Sequence, residues 1–258
     1  TPALRLVYDN EKQIRNAQSS SPLFKIYGDF LSEHLEFVLK KEFEEAEEVA
    51  EFMRSSAKHK HILHMGTKKQ SKRSPPKPLN TSALLQLASS TLSMSPGETM
   101  KHSQILYQNG YITYMRTDSK EYSAPFIEYA SKYIVSKYGQ GSLMSDLNKL
   151  ENKSVSNPHE AIRVTQLVLQ TINVENPRTL SLYKLIWKNT IESCMSDYNS
   201  DQYEITISSP IDALYSHTLE IPSKYGWRTI EEKRPIIDVQ SEMGGLKLKL
   251  ESQSKTEV

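Results

Sequence analysis

The decapeptide GYITYMRTDS, Gly110 to Ser119, brings two phenols, a guanidinium and a carboxylate into one short stretch. Its β-branched and aromatic residues favour an extended path, and on such a path side chains two apart share a face. Tyr114, Arg116 and Asp118 then project one way, and Met115 and Thr117 the other. That grouping suits phosphoryl transfer. A free phenol titrates near pH ~10 and is mostly protonated at neutrality. A guanidinium beside it favours the phenolate. The same cation can hold a phosphate oxygen in bidentate geometry and offset charge in the transition state. Asp118 can orient Arg116. The plain alternative is an exposed strand end with no chemistry.

A second cluster follows 45 residues after Tyr114, in NPHEAIRVT, Asn157 to Thr165. The proline stop predicts a helix starting here. His159 and Arg163, four apart, would lie on one helical face, as would Glu160 and Arg163, three apart. A histidine and an arginine together can grip a phosphodiester. The alternative is a helix first turn in which Glu160 meets the positive helix end and pairs with Arg163 on the surface.

The elements that must position these residues read as follows. Residues 4–14 have helical spacing, and SPLFKIYGDF (Ser21 to Phe30) alternates like a strand. EEAEEVAEFMRSSA predicts an amphipathic helix with Ala46, Val49, Ala50 and Met53 on one face, and KHILHM a short strand. The basic, proline-rich GTKKQSKRSPPKP (Gly66 to Pro78) reads as a hinge. A helix capped by Thr81 or Ser82 carries Leu84, Leu85 and Leu87. SPGE (Ser95 to Glu98) is a capping box, opening a helix that ends at Asn109 and Gly110. Ser123 and Pro125 open another, with Phe126, Ile127, Ala130 and Ile134 as its stripe and Gly139 as its stop. TLSLYKLIWKNTIESCM is a further helix, with Leu182, Leu185 and Ile186 on one side. Then the period changes to two: QYEITIS, GWRTIEE and LKLKLE read as strands. The expected class is α+β, a sheet-rich domain interrupted by an inserted all-helical domain. The divisions are residues 1–20 as the end of a preceding helical segment, 21–78 with 200–258 as the sheet-rich domain, and 79–199 as the helical one.

Composition narrows the function classes. The 258 residues are 37% hydrophobic and 24% charged, enough for a sizeable core. No apolar run approaches a membrane span, and TPALRLVYDN is not a secretory signal. Without an initiator methionine, the chain reads as a piece of something longer. Cys194 stands alone, so neither a disulfide framework nor a thiolate metal site is expected within it, and a reducing compartment follows. A net charge of +1 is low for a dedicated duplex-DNA clamp, so nucleic-acid binding must rest on a local patch or on other parts of the protein.

The two clusters, in this order, resemble type IA DNA topoisomerases, and more closely the bacterial topoisomerase I branch. GYITYMRTDS is similar letter for letter to that family's active-site motif. HEAIRVT resembles its second motif, with Val164 where the family often has proline, and TPALRL and LYKLIW also have counterparts. The resemblance implies that Tyr114 is the nucleophile, attacking single-stranded DNA to give a 5′-phosphotyrosine and a free 3′-hydroxyl, which resealing reverses without ATP. It implies that Arg116 holds the scissile phosphate, with Thr113 and Asp118 beside it, and that His159 and Arg163 bind and position the strand. Position in the motif selects Tyr114 over Tyr111, which reads as packing. The resemblance further implies a gate-arch domain II and a nucleophile-bearing domain III, which swing on their connections to pass a strand. The acidic Toprim domain that holds Mg²⁺, and domain IV, would be missing parts of the same protein. No counterpart of the Toprim domain is present, so this chain alone is expected to bind no metal and to be inactive. The implied setting is the nucleoid if the source is bacterial, or otherwise another compartment holding DNA.

Two rival readings use the same residue types. Tyrosine recombinases show His-x-x-Arg with the tyrosine after it, whereas here the spacing is His-x-x-x-Arg and Tyr114 comes first. A non-catalytic module would bind single-stranded DNA through phosphate contacts alone.

Overall fold

The computed structural model describes residues 2–16, 22–31, 35–152, 159–232 and 235–254. Two compact units share them. The first comprises Thr1–Lys69, Gln202–Glu220 and Met243–Val258; the second comprises Gln70–Asp201 and Ile221–Glu242. The chain is α+β, and its strands form a five-stranded sheet.

The strands are β1 (Phe24–Asp29), β2 (Glu36–Phe43), β3 (Leu63–Arg73), β4 (Tyr198–Ser208) and β5 (Leu214–Lys224), in the order β1-β2-β5-β4-β3. β1 pairs antiparallel with β2, and β2 with β5 through Val38 and Ser216 and through Leu39 and Tyr215. In the first unit the inward face is Ile26, Phe37, Leu39, Phe43, Leu63, Ile205, Ile207, Tyr215 and Leu219, all buried. Alternation of this kind lets one face of each strand join the core while the other stays wet. Helix α1 (Pro2–Asn16) has no buried residue, and α2 (Ala46–Ser56) buries Phe52 against Phe43. The expected face of α2 is therefore displaced by one position: Met53 is 53% exposed.

In the second unit α3 (Thr81–Leu92), α4 (Pro96–Gln108), α5 (Ala124–Tyr138) and α6 (Pro177–Glu192) surround one apolar core. α6 is its centre, with Leu182, Tyr183, Ile186 and Ile191 nearly inaccessible. Asn80 caps α3 by accepting the Ala83 N–H, so the cap lies one residue before the expected Thr81 or Ser82. Ser95 caps α4 as its sequence predicts, accepting the Glu98 N–H. Ser123 precedes α5 without a side-chain cap bond.

Three expectations need correction. β3 runs through more than half of the predicted hinge, to Arg73, as a largely exposed strand that carries Lys68, Lys69 and Lys72 into solvent. GWRTIEE is a 3₁₀ turn at Gly226–Ile230, forced by the left-handed Gly226 at φ 51°. LKLKLE lies in helix α7 (Ile236–Gln253): Leu250 is buried, Leu248 is 66% exposed, and Lys247 pairs with Glu251 one turn on. Strong helix formers at i,i+4 spacing outweighed the two-residue alternation. Ser21, Asn157 and Pro158, used above as element starts, lie outside the described residues.

Candidate active site

Helix α4 ends where Gly110 takes φ 72°, with Gly110 N–H donating to the Tyr107 carbonyl and Tyr111 N–H to that of Leu106, both at 2.9 Å. Glycine adopts this left-handed turn without steric cost. The chain then runs between two neighbours, the segment 161–165 and the start of α3. On one side Ile112 bridges Val164 antiparallel, Thr113 N–H donates to the Arg163 carbonyl at 2.9 Å, and Thr165 N–H donates to that of Tyr111 at 3.0 Å. On the other, Thr81 N–H donates to the Thr117 carbonyl at 3.0 Å, and the Thr81 hydroxyl donates to that of Met115 at 2.7 Å. Leu79 bridges Ile162, closing the arrangement.

This clamp fixes which side chains face out. Met115 is 1% exposed, and Thr117 and Ser119 are also buried, while Tyr114 is 41% exposed and Arg116, Asp118 and Lys120 are exposed with it. The side-chain alternation expected for Tyr114, Arg116 and Asp118 is therefore present. Lys120 continues the outward row, a second cation that the motif reading left out; the same two-residue period would have found it. Arg116, Asp118 and His159 line one open cleft of about 560 Å³ with Thr81, Leu85, Met100 and Thr117.

The second cluster is not a helix. Residues 159–165 are extended, so His159 and Arg163 do not share a helical face. Their backbone bonds go to Leu79, Tyr111 and Thr113 instead, and Ile162, Val164 and Thr165 are β-branched. His159 is exposed in the cleft. Arg163 turns inward: its side chain is 12% exposed, donates to both carboxylate oxygens of Glu160 at 3.0 and 2.8 Å, and lies 4.1 Å from the centre of the Phe126 ring. Glu160 also accepts the Ser123 N–H at the start of α5, where a carboxylate meets the positive helix end. The ion pair expected of Glu160 and Arg163 is present, without its helix.

Three further details bear on the chemistry. The Thr113 hydroxyl is occupied by backbone, donating to the Ala161 carbonyl and accepting from the Arg163 N–H. Val164 N–H donates to the Thr190 hydroxyl at 3.4 Å, a bond that proline there would remove. Tyr111 packs edge-on against Tyr183. Burial pushes two other potential nucleophiles up: the Tyr122 phenol well above its ordinary range and the Cys194 thiol to about 12. Among the described residues no group of three or more His, Cys, Asp or Glu side chains is placed to hold a metal ion.

A profile of the DNA topoisomerase family matches residues 1–255. The chain belongs to the DNA topoisomerase family. It is similar to a protein named DNA topoisomerase 1 type prokaryotic from Acanthamoeba polyphaga mimivirus, 41% identical over 149 residues, which cover 57% of this chain and 17% of that one. It is also similar to DNA topoisomerase 1 of Helicobacter pylori strain J99, 33% identical over 229 residues, or 80% of this chain and 31% of that one. Among solved structures, full-length topoisomerase I from Thermotoga maritima superposes with a TM-score of 0.67 at 26% identity, covering 90% of this chain and 39% of that chain. This topoisomerase chain thus spans less than two fifths of the length of these relatives. No helix among its described residues is long and apolar enough to cross a membrane.

Proposed function

We propose that this chain carries the strand-cleaving tyrosine of a type IA DNA topoisomerase. The observation that carries the proposal is the outward row of Tyr114, Arg116 and Asp118, held by the buried Met115 and Thr117 between two clamped segments. Tyr114 is accessible to a DNA strand, with a guanidinium two residues away on the same face. The Tyr114 oxygen attacks the scissile phosphorus. A phosphorus–oxygen bond forms to the phenol, the bond to the 3′-oxygen breaks, and the phenol proton leaves as the 3′-oxygen gains one. The protein is left on the 5′ phosphate. Arg116 offsets the charge that gathers on the phosphate oxygens. Because one phosphodiester replaces another of similar energy, resealing needs no ATP.

The geometry supports the two strand-binding candidates unequally. His159 stands in the cleft with Arg116 and Asp118, whereas Arg163 reaches a strand only by leaving Glu160 and Phe126. Thr113 acts through its backbone clamp. The Mg²⁺ that the family resemblance implies would be held by parts of the protein beyond this chain, while this chain would supply the gate-arch and nucleophile-bearing parts that open for strand passage. The chain alone is then inactive, the full-length protein relaxes negative supercoils, and its setting is a compartment holding DNA.

The test uses the full-length protein and a single-stranded oligonucleotide labelled at either end. A 5′-phosphotyrosine enzyme retains the 3′-label in a denaturation-resistant adduct and releases the 5′-label. Tyr114→Phe should abolish the adduct while DNA binding survives. Retention of the 5′-label instead would assign the recombinase-type polarity and overturn the proposal. So would an adduct that persists in Tyr114→Phe and is lost in Tyr111→Phe.

A further inference from the structure

Tyr107 lies in the last turn of α4, three residues before the Gly110 turn. Its ring meets that of Tyr114 edge to face, with centroids 5.2 Å apart and planes at 62°. The two are 40% and 41% exposed. Neither phenol has a hydrogen-bond partner on the protein among the described residues. Other tyrosines of the second unit are tied down. The Tyr122 hydroxyl meets that of Ser193 at 2.8 Å, Tyr129 accepts the Leu167 N–H, and Tyr183 donates to the Leu169 carbonyl. The 107–114 pair is held by ring contact and stays open to solvent. Leaving two large apolar rings wet is unfavourable unless something covers them.

We infer that Tyr107 is a base-stacking residue, presenting its ring to a nucleobase of single-stranded DNA beside the phosphate held at Tyr114 and Arg116. The inference rests on the reading of Tyr114 as the nucleophile. An edge-to-face pair restricts the swing of the Tyr114 ring and leaves aromatic surface free for a third ring. Arg116, two residues beyond Tyr114 on the same outward row, offers a guanidinium to the phosphate adjoining that base. Every nucleobase has a π-face, so such a contact grips a strand without selecting its sequence. The Tyr107 hydroxyl plays no part, because stacking uses the ring.

The test is a binding measurement on the full-length protein carrying Tyr114→Phe, which removes the chemistry. The probe is a single-stranded oligonucleotide with one 2-aminopurine moved stepwise along it; stacking quenches this base. At one position, binding should quench the probe. Adding Tyr107→Phe or Tyr107→Trp should keep the quenching. Adding Tyr107→Leu should abolish it and weaken binding about ten-fold, with an unchanged melting temperature. Equal affinity and equal quenching in the leucine variant would overturn the inference. The nucleophile reading is scored separately, by adduct formation in the protein with Tyr114 intact. If no adduct forms yet quenching depends on Tyr107, that reading falls and the base contact stands.

Discussion

The Thr113 hydroxyl joins two peptide groups of one neighbouring segment: it donates to the Ala161 carbonyl at 2.9 Å and accepts from the Arg163 N–H at 3.0 Å. With the Thr113 N–H on the Arg163 carbonyl, three hydrogen bonds hold the residue before Tyr114. Thr113→Val keeps the shape and removes two of them. The loss should cost about 1–3 kcal/mol of stability. It should also lower adduct formation by the full-length protein, because the register of Tyr114 loosens. Thr113→Ser retains the hydroxyl and should restore both. Normal cleavage in Thr113→Val would show that the backbone bonds alone suffice.

Glu192 supplies a pH prediction. It is 5% exposed, its Oε1 has no hydrogen-bond partner, and Lys188, 3.7 Å away, is shared with Glu231. Burial pushes its carboxyl up to about 7; Lys188 opposes that rise and Glu231 adds to it. A folded value above the unfolded one stabilises the protein at low pH, and the benefit is lost as pH rises through the folded value. Stability from this group should therefore fall between about pH 4.5 and 7. Glu192→Gln should change the melting temperature little at pH 5 and raise it at pH 8, by at most about 3 kcal/mol in stability. Equal effects at both pH values would place the carboxylate in a better solvated setting than its burial indicates.

Gly226 is a sharper test of the fold. At φ 51°, a Cβ would stand 2.1 Å from the Asp197 carbonyl oxygen and 2.4 Å from that of Ser196. Both obstacles are backbone, and the Trp227 N–H already donates to the Ser196 carbonyl at 2.9 Å. Gly226→Ala should destabilise by about 2–4 kcal/mol, combining left-handed strain with overpacking. Thermal unfolding checks this directly. A change below about 0.5 kcal/mol, the range of a surface substitution, would mean that the 3₁₀ turn readjusts freely.

What the sequence revealed depended on how local the determining contacts are. The outward row at Tyr114, Arg116 and Asp118 was legible because its period of two and its β-branched neighbours agree. The capping box at Ser95 and the stop at Gly110 were legible because each is a bond within four residues. The segment from His159 to Thr165 was misread because Glu160 and Arg163 fit a helix, while its backbone partners, Leu79 and Thr113, are some fifty or more residues away. LKLKLE carried both periods, and only the burial of Leu250 decides between them. β2 and β5 were not marked in advance, since their inward residues gain meaning only from each other. Tyr107 falls inside the helix that opens at Ser95 and ends at Asn109, and nothing local distinguishes it until the turn at Gly110 brings Tyr114 against it.

His159 and Arg163 should divide binding from folding. Arg163 makes two charged bonds to Glu160 and covers the Phe126 ring, with little of it exposed. Arg163→Ala leaves a partly buried carboxylate without its partner at the start of α5. It should cost about 1–3 kcal/mol in stability and leave the cleavage rate per folded molecule close to normal. Arg163→Lys should recover only part of the stability, since an ammonium cannot form the bidentate fork. His159 is exposed in the cleft. His159→Ala should leave the melting temperature within about 0.5 kcal/mol of the starting protein. It should slow cleavage roughly ten- to a hundred-fold, the loss of one hydrogen bond to a charged phosphate. Melting temperature, strand affinity and adduct rate on the same full-length variants separate the roles. If Arg163→Ala instead flattens the salt dependence of strand binding by about one phosphate contact at unchanged stability, the ion pair opens on DNA and Arg163 joins the strand-binding residues.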